Sequence, residues 1–159
     1  MTPLVLQADE GDDEIFGVNT IDINPAHQLW AFGVEGNGTV QFWDPRSRTR
    51  VGVLRVPRAR LLSPDSVDGI NITAISSRKD GLSYAVGTST GHTLLYDIRA
   101  AQPFGLKDQG YGLPIHNVTW IEGDSRMAGD GLVLSADKKV IKIWDRNSVG
   151  PFHSLCSVR

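Results

Sequence analysis

Cysteine is almost missing from this chain. Cys156 stands alone among 159 residues, so no intrachain disulfide can form and a disulfide-stapled miniature fold is excluded. Such usage fits a reducing compartment. No apolar run approaches the roughly 18 residues that a membrane-spanning helix needs. The opening residues, MTPLVLQADEGDDE, lack the basic lead and the apolar core of a secretory signal. The sequons at Asn71 and Asn117 are therefore expected to carry no glycan. No stretch of ten or more residues shows a helical apolar period.

Large net charge is also lacking. A formal charge of −2 gives no whole-molecule attraction to nucleic acid or to an acidic membrane. Hydrophobic residues make up 40% and charged residues 21%, which is enough apolar matter for a folded core and argues against disorder. Charge is instead clustered. Asp9, Glu10, Asp12, Asp13 and Glu14 form an acidic group, and Arg46, Arg48, Arg50, Arg55, Arg58 and Arg60 form a basic one.

What is present is a repeat. Gly38–Asp44 reads GTVQFWD, Gly91–Asp97 reads GHTLLYD, and Lys139–Asp145 reads KVIKIWD. Each is a short β-branched or aromatic run closed by an aromatic residue and an aspartate. The aspartates lie 53 and 48 residues apart. A terminal Trp-Asp at intervals of that order marks a WD-type β-propeller.

Strands and turns fall into three passes. The first predicts strands at 19–23, 29–34, 39–43 and 50–56, with Asn24-Pro25 and Asp44-Pro45 as stops. Between the second and third strands, Glu35-Gly36-Asn37-Gly38 is a hairpin turn in which Asn-Gly supplies the positive φ angles. The second pass predicts 71–75, 82–88 and 93–96, with a weak outer strand near 103–106. The third predicts 115–121, 132–136 and 140–144, interrupted by a polar insertion at 122–131. The expected fold is all-β: a WD40-type propeller of about three four-stranded blades at 19–56, 71–106 and 115–148. An acidic lead-in and the end of a preceding blade occupy 1–18, and a divergent tail occupies 149–159. Three blades make an open arc with two raw edges, so the chain is expected to be a fragment of a longer propeller, or else to pair with other copies, and to be marginally stable by itself.

Catalytic and metal signatures fare poorly. Gly87-Thr88-Ser89-Thr90-Gly91 matches the G-x-S-x-G elbow of serine hydrolases, but that elbow needs a helix after it. Here a strand follows, and the other repeats put Glu35 and Asp137 in the place of Ser89. His27, His92, His116 and His153 are scattered, with no partners at metal-ligand spacing. No catalytic residue, cofactor, metal or small-molecule substrate is expected.

Trp43, Tyr96 and Trp144 are read as packing residues. Asp44, Asp97 and Asp145 are read as acceptors for backbone N–H groups of the following turns. Many WD repeats add a buried His–Asp brace. Its histidine is missing ahead of the first strand in all three units, so these blades are expected to rely on apolar packing. Arg46, Arg48 and Arg50 alternate just past a strand end, where residues two apart can share a side. Arginine forks bind phosphate bidentately, so these three are the candidate contact for RNA or an anionic partner.

Several blocks are more specific than a general WD pattern. Asn19 to Asn24, Val40 to Arg48, Ala85 to Gly91, Leu94 to Arg99, Lys107 to Ile115 and Leu134 to Asp137 resemble the nucleolar protein ten family, also called essential nuclear protein two. The resemblance covers about residues 13 to 148. It implies a non-catalytic WD-repeat scaffold in the nucleus and nucleolus, acting in small-subunit ribosome biogenesis and rRNA processing within the small-subunit processome. Other pre-ribosomal assembly proteins, and pre-rRNA itself, are the implied partners, with no membrane role. A second reading is a substrate receptor of a ubiquitin ligase. Trp43-Asp44-Pro45-Arg46 and Tyr96-Asp97-Ile98-Arg99 resemble the W-D-x-R boxes of such receptors, with Arg46 and Arg99 as the adaptor contacts.

Overall fold

Short β-branched and aromatic runs, each ended by Gly, Asn or Asp, cannot propagate far and instead fold back as antiparallel hairpins. The computed structural model describes residues 17–63, 66–122, 131–147 and the backbone of 154–158. Its strands are β1 (Val18–Ile23), β2 (Trp30–Val34), β3 (Thr39–Asp44) and β4 (Thr49–Arg55), then β5 (Ile72–Ser77), β6 (Ser83–Thr88), β7 (His92–Asp97) and β8 (Gly105–Asp108), then β9 (Asn117–Ile121), β10 (Leu132–Ala136), β11 (Ile141–Asp145) and β12 (Ser154–Val158). A single helical turn, α1 (Arg58–Leu61), sits in the first connection between sheets. Each set of four strands is one antiparallel sheet in chain order. The first strands are neighbours in succession, β1 beside β5 and β5 beside β9. They form the inner ring, and β4, β8 and β12 lie outermost. The chain is a WD40-type β-propeller arc of three blades.

Burial follows from position in the arc. The middle blade is covered on both faces, so β6 and all but the ends of β7 are buried along their length. Their alternate residues serve opposite seams, as the two-residue period of a strand requires. Tyr84, Val86, Leu94 and Tyr96 join Ala31, Val40, Phe42, Leu54 and Ile72 in the core between the first and second blades. Ala85 and Leu95 join Ala74, Ile115, Val118, Trp120 and Val133 between the second and third. The Phe42 and Tyr84 rings meet edge-on with centroids 5.0 Å apart.

Polar bonds pin the same seams. Asn24 donates through Nδ2 to the Gly81 carbonyl and to the Tyr84 hydroxyl, at 2.8 and 2.5 Å. Its Oδ1 accepts the N–H groups of Ala26 and His27. Asp22 accepts the Ser77 N–H. Across the second seam, the Trp120 indole donates to the Ser76 carbonyl at 3.1 Å. Glu122 takes both the backbone N–H of Lys79 and its ammonium, the latter at 2.7 Å.

Four local expectations need correction. The positive φ angles of the first hairpin fall on Gly36 (88°) and Gly38 (64°), not on Asn37. Asn37 instead accepts the Thr39 hydroxyl and bridges to Ile70. The outer strand of the second blade is Gly105–Asp108, two residues later than the sequence suggests. In the third blade, Ser154–Val158 pairs with β11 as a fourth strand, so the expected tail supplies part of a sheet. Finally, Arg46 and Arg48 lie in the turn before β4, with only Arg50 of the three in the strand. The shared-side argument fails for them because it holds for extended backbone only, and Arg48 is left-handed (φ 57°). The acidic cluster, most of the insertion at 122–131 and all but residues 17 and 18 of the expected preceding blade lie outside the described residues.

Candidate functional site

The aromatic-aspartate punctuation closes each blade and, in the second and third, ties it to the preceding one. Asp44, Asp97 and Asp145 each end a third strand, where the chain must reverse into the fourth. Each turns Oδ1 onto the backbone N–H two residues on, at Arg46 (2.8 Å), Arg99 (2.9 Å) and Asn147 (2.8 Å). These are Asx turns, a structural use of the carboxylate. In the first two blades the arginine of that turn folds back on its own aspartate. Arg46 grips Asp44 at 3.2 and 3.4 Å, and Arg99 grips Asp97 at 2.8 and 2.5 Å. The backbone and side-chain bonds from Arg46 lower the Asp44 pKa. The Arg99 guanidinium, then its N–H, holds Asp97 down at about 2.

The aromatic partners are buried, with exposures of 7% for Trp43, 0% for Tyr96 and 1% for Trp144. Two of them connect backward across a seam, Tyr96 directly and Trp144 through Ser135. Tyr96 donates its hydroxyl to the Arg55 carbonyl in β4 at 3.1 Å. Trp144 donates its indole N–H to Ser135 Oγ at 2.5 Å, and that hydroxyl donates to Gln109 Oε1 at 2.7 Å. Gln109 precedes the third blade and is itself buried. Its amide donates to the carbonyl of Val140 at 3.0 Å and, more weakly, to that of Ser135 at 3.4 Å. The third blade therefore has a polar brace after all, with glutamine where a histidine was sought. Trp43 differs, donating within its own strand to Gln41 at 3.3 Å.

The sequence did not reveal two cationic features near Trp144. Lys107 is 3% exposed in β8. Burial depresses its pKa, and the Asp145 charge opposes that shift. Its ammonium lies 5.9 Å from the Trp144 ring centroid, and that of Lys142 lies 5.1 Å from it. Such cation–π placement compensates part of the lost hydration.

The serine of the hydrolase-like motif has a plain structural role. Ser89 follows β6 in a hairpin turn and accepts the Asn71 N–H at 3.1 Å, and the strand β7 follows it rather than a helix. Among the described residues, no three His, Cys, Asp or Glu side chains gather as a metal site would require. No described helix is long and apolar enough to cross a membrane. His27 and His116 are exposed, His92 is half-buried against Thr90, and His153 lies outside the described residues.

Topology sorts the loops into two ends. Connections between blades and between second and third strands share one end. Arg46, Arg48 and Arg99 lie at the other, with Arg50 just inside β4. Arg46 and Arg48 are exposed and Arg50 is half-buried.

Fold and loops together define a WD-type propeller whose prominent polar groups hold blades to one another. The chain belongs to the nucleolar protein 10-like family, matching its N-terminal β-propeller domain over residues 1–157. That match runs beyond both ends of the span expected from the sequence blocks. A fission yeast relative (Schizosaccharomyces pombe), the ribosome biogenesis protein enp2 homolog, is 47% identical over 98% of this chain and 24% of its own length. Ribosome biogenesis protein ENP2 of Saccharomyces cerevisiae is 39% identical over 82% of the chain and 17% of its own length. Nucleolar protein 10 of Danio rerio is 41% identical over 87% and 18%. The chain thus spans about a quarter or less of these relatives. Among solved structures, the RRP9 WD40 repeats superpose with a TM-score of 0.67 at 14% identity, over 92% of this chain and 40% of that one. U3-55K gives the same score at 12% identity, with the same coverage. Both show the shared fold.

Proposed function

We propose that this chain is part of a non-catalytic WD-repeat scaffold for ribosome biogenesis, acting on small-subunit precursors in the nucleolus as a member of the small-subunit processome. One observation carries the reading. Relatives named for ribosome biogenesis and for the nucleolus match nearly the whole chain at 39% to 47% identity. The geometry supports a scaffold, because among the described residues Asp44, Asp97, Asp145, Ser89, Gln109 and Glu122 are committed to seams and turns. Other pre-ribosomal assembly proteins are the expected partners. The arginine-bearing turn at Arg46, Arg48 and Arg50 is a place for an anionic one. A tagged full-length protein should concentrate in nucleoli and sediment with precursor ribosomal RNA, and its depletion should cause unprocessed small-subunit precursor to accumulate. A diffuse cytoplasmic signal without such RNA would refute the proposal.

The ubiquitin-ligase reading makes a different demand. It needs the Arg46 and Arg99 forks available to an adaptor, whereas both grip their own turn aspartates. Recovery of ligase-adaptor subunits in a pulldown, lost on Arg46→Ala, would favour it.

A further inference from the structure

The loop entering the third blade lifts one aromatic ring into solvent on a fixed base. Gln109 anchors the loop, with its N–H donating to the Gly91 carbonyl at 3.0 Å and its side chain buried in the brace. Gly110 donates its N–H to Asp108 Oδ1 at 2.7 Å. Gly110 and Gly112 are both left-handed, with φ of 94° and 61°, a conformation open to glycine at little cost. Between them stands Tyr111, 44% exposed. A Cβ added at Gly112 would meet nothing within 4 Å, so the backbone next to Tyr111 is uncrowded.

One ammonium group lies over that ring and others stand nearby in the same rim. The Lys139 Nζ lies 5.2 Å from the Tyr111 centroid. Lys138 and Lys139 are exposed at the tip of the β10–β11 hairpin. Asp137 fixes that tip by accepting the N–H groups of Lys139 and Val140 at 2.6 and 2.7 Å. Lys142 Nζ lies beside the loop backbone, 3.6 Å from where a Cβ on Gly110 would stand. Of the nearby carboxylates, Asp108 accepts one backbone N–H and Asp137 accepts two, both on Oδ1. Tyr111 from one loop, Lys138 and Lys139 from another, and Lys142 from the start of β11 converge at the same end of the propeller.

From this geometry we infer that the rim binds single-stranded RNA, with one base stacked on the exposed Tyr111 ring and backbone phosphates held by Lys138, Lys139 and Lys142. An exposed ring suits a base, since every base has a π-face and stacking tolerates any sequence. Lysine holds phosphate as a point charge. Bases already stacked in a duplex cannot offer that face, so single-stranded RNA is selected over double-stranded. An acidic peptide would use the lysines and leave the ring idle. The inference rests on the ribosome-biogenesis reading only for which RNA is met in the cell.

The test is anisotropy of a short labelled single-stranded RNA of mixed sequence against the full-length protein and its variants. Tyr111→Ala should weaken binding roughly tenfold or more, while Tyr111→Phe should stay within about twofold because it keeps the ring. Lys138→Gln with Lys139→Gln should flatten the salt dependence, the slope falling by about 0.7 for each phosphate no longer neutralised. Duplex RNA should compete poorly. If Tyr111→Ala does not fold, Tyr111→Phe and the charge reversal Lys138→Glu carry the test, the latter expected to weaken binding. Equal affinity of folded Tyr111→Ala and wild type would overturn the inference. So would binding of a labelled glutamate-rich peptide with none of the RNA. Nucleolar concentration and sedimentation with precursor RNA are read separately, so loss of oligonucleotide binding alone leaves the scaffold proposal standing.

Discussion

The Tyr96 hydroxyl at the end of the second blade's third strand donates to the Arg55 carbonyl in the outer strand of the first, at 3.1 Å. The bond joins residues that pack across a seam rather than along the chain. Tyr96 is fully buried, so removing its hydroxyl leaves the Arg55 carbonyl short of a donor. Tyr96→Phe should destabilise the protein by about 1–2 kcal/mol. Urea denaturation at neutral pH measures this. A change confined to a few tenths would mean that water replaces the hydroxyl.

Alkaline pH should weaken the same seam through Tyr84. Burial is the main cause that raises its pKa, with the Asp22 charge adding and the Asn24 bond opposing, to about 12 from an ordinary 10. The fold therefore holds the neutral phenol. Its contribution is complete below pH 10 and is lost as pH rises from 10 through about 12. Two pKa units correspond to about 2–3 kcal/mol at the upper limit. Stability measured against pH should fall across that window, and Tyr84→Phe should flatten the fall. Tyr96 shifts upward by burial as well and supplies the remainder.

Much of the arc was legible in the sequence because local rules set it. Turn residues punctuate the strands, and the aspartates that close the third strands act on N–H groups two residues away. Such near-neighbour chemistry is written in order along the chain. The Gln109 brace is not, since its partners Ser135 and Trp144 belong to the next blade and only folding brings them near. Looking for histidine alone concealed it, although glutamine also offers a donor and an acceptor in one side chain. The shared-side reading of the arginines failed for another reason. An alternating pattern has meaning only on extended backbone, and Pro45 begins a turn there. The fourth strand of the third blade lacked a pattern strong enough to distinguish it from a tail.

Gln109 and Ser135 should be energetically coupled. Each alone loses the 2.7 Å bond between them, and Gln109 also satisfies the carbonyl of Val140 at 3.0 Å. Gln109→Leu and Ser135→Ala should each destabilise, with the double variant costing less than the two added together by about 1 kcal/mol or more. Denaturation of the four proteins gives that coupling directly. Strict additivity would mean that the buried chain from Gln109 to Trp144 is not acting as one unit.

Close approach of blades should make Gly87 intolerant of a methyl group. It lies in β6 at the second seam, where an added Cβ would stand 2.7 and 2.8 Å from Cγ2 and Cβ of Ile115 and 3.2 Å from Cγ1 of Val118. Ile115 is fully buried and β-branched, so it has little freedom to turn aside. Gly87→Ala should destabilise by about 1–3 kcal/mol through overpacking. Gly52 provides the contrast within the same fold. It lies in outer strand β4, and its added Cβ would meet only Phe42 at 3.8 Å. Gly52→Ala should be neutral or stabilise by up to about 1 kcal/mol, because alanine restricts the unfolded chain. Equal effects at the two sites in urea would show that seam packing is not what excludes a side chain at Gly87.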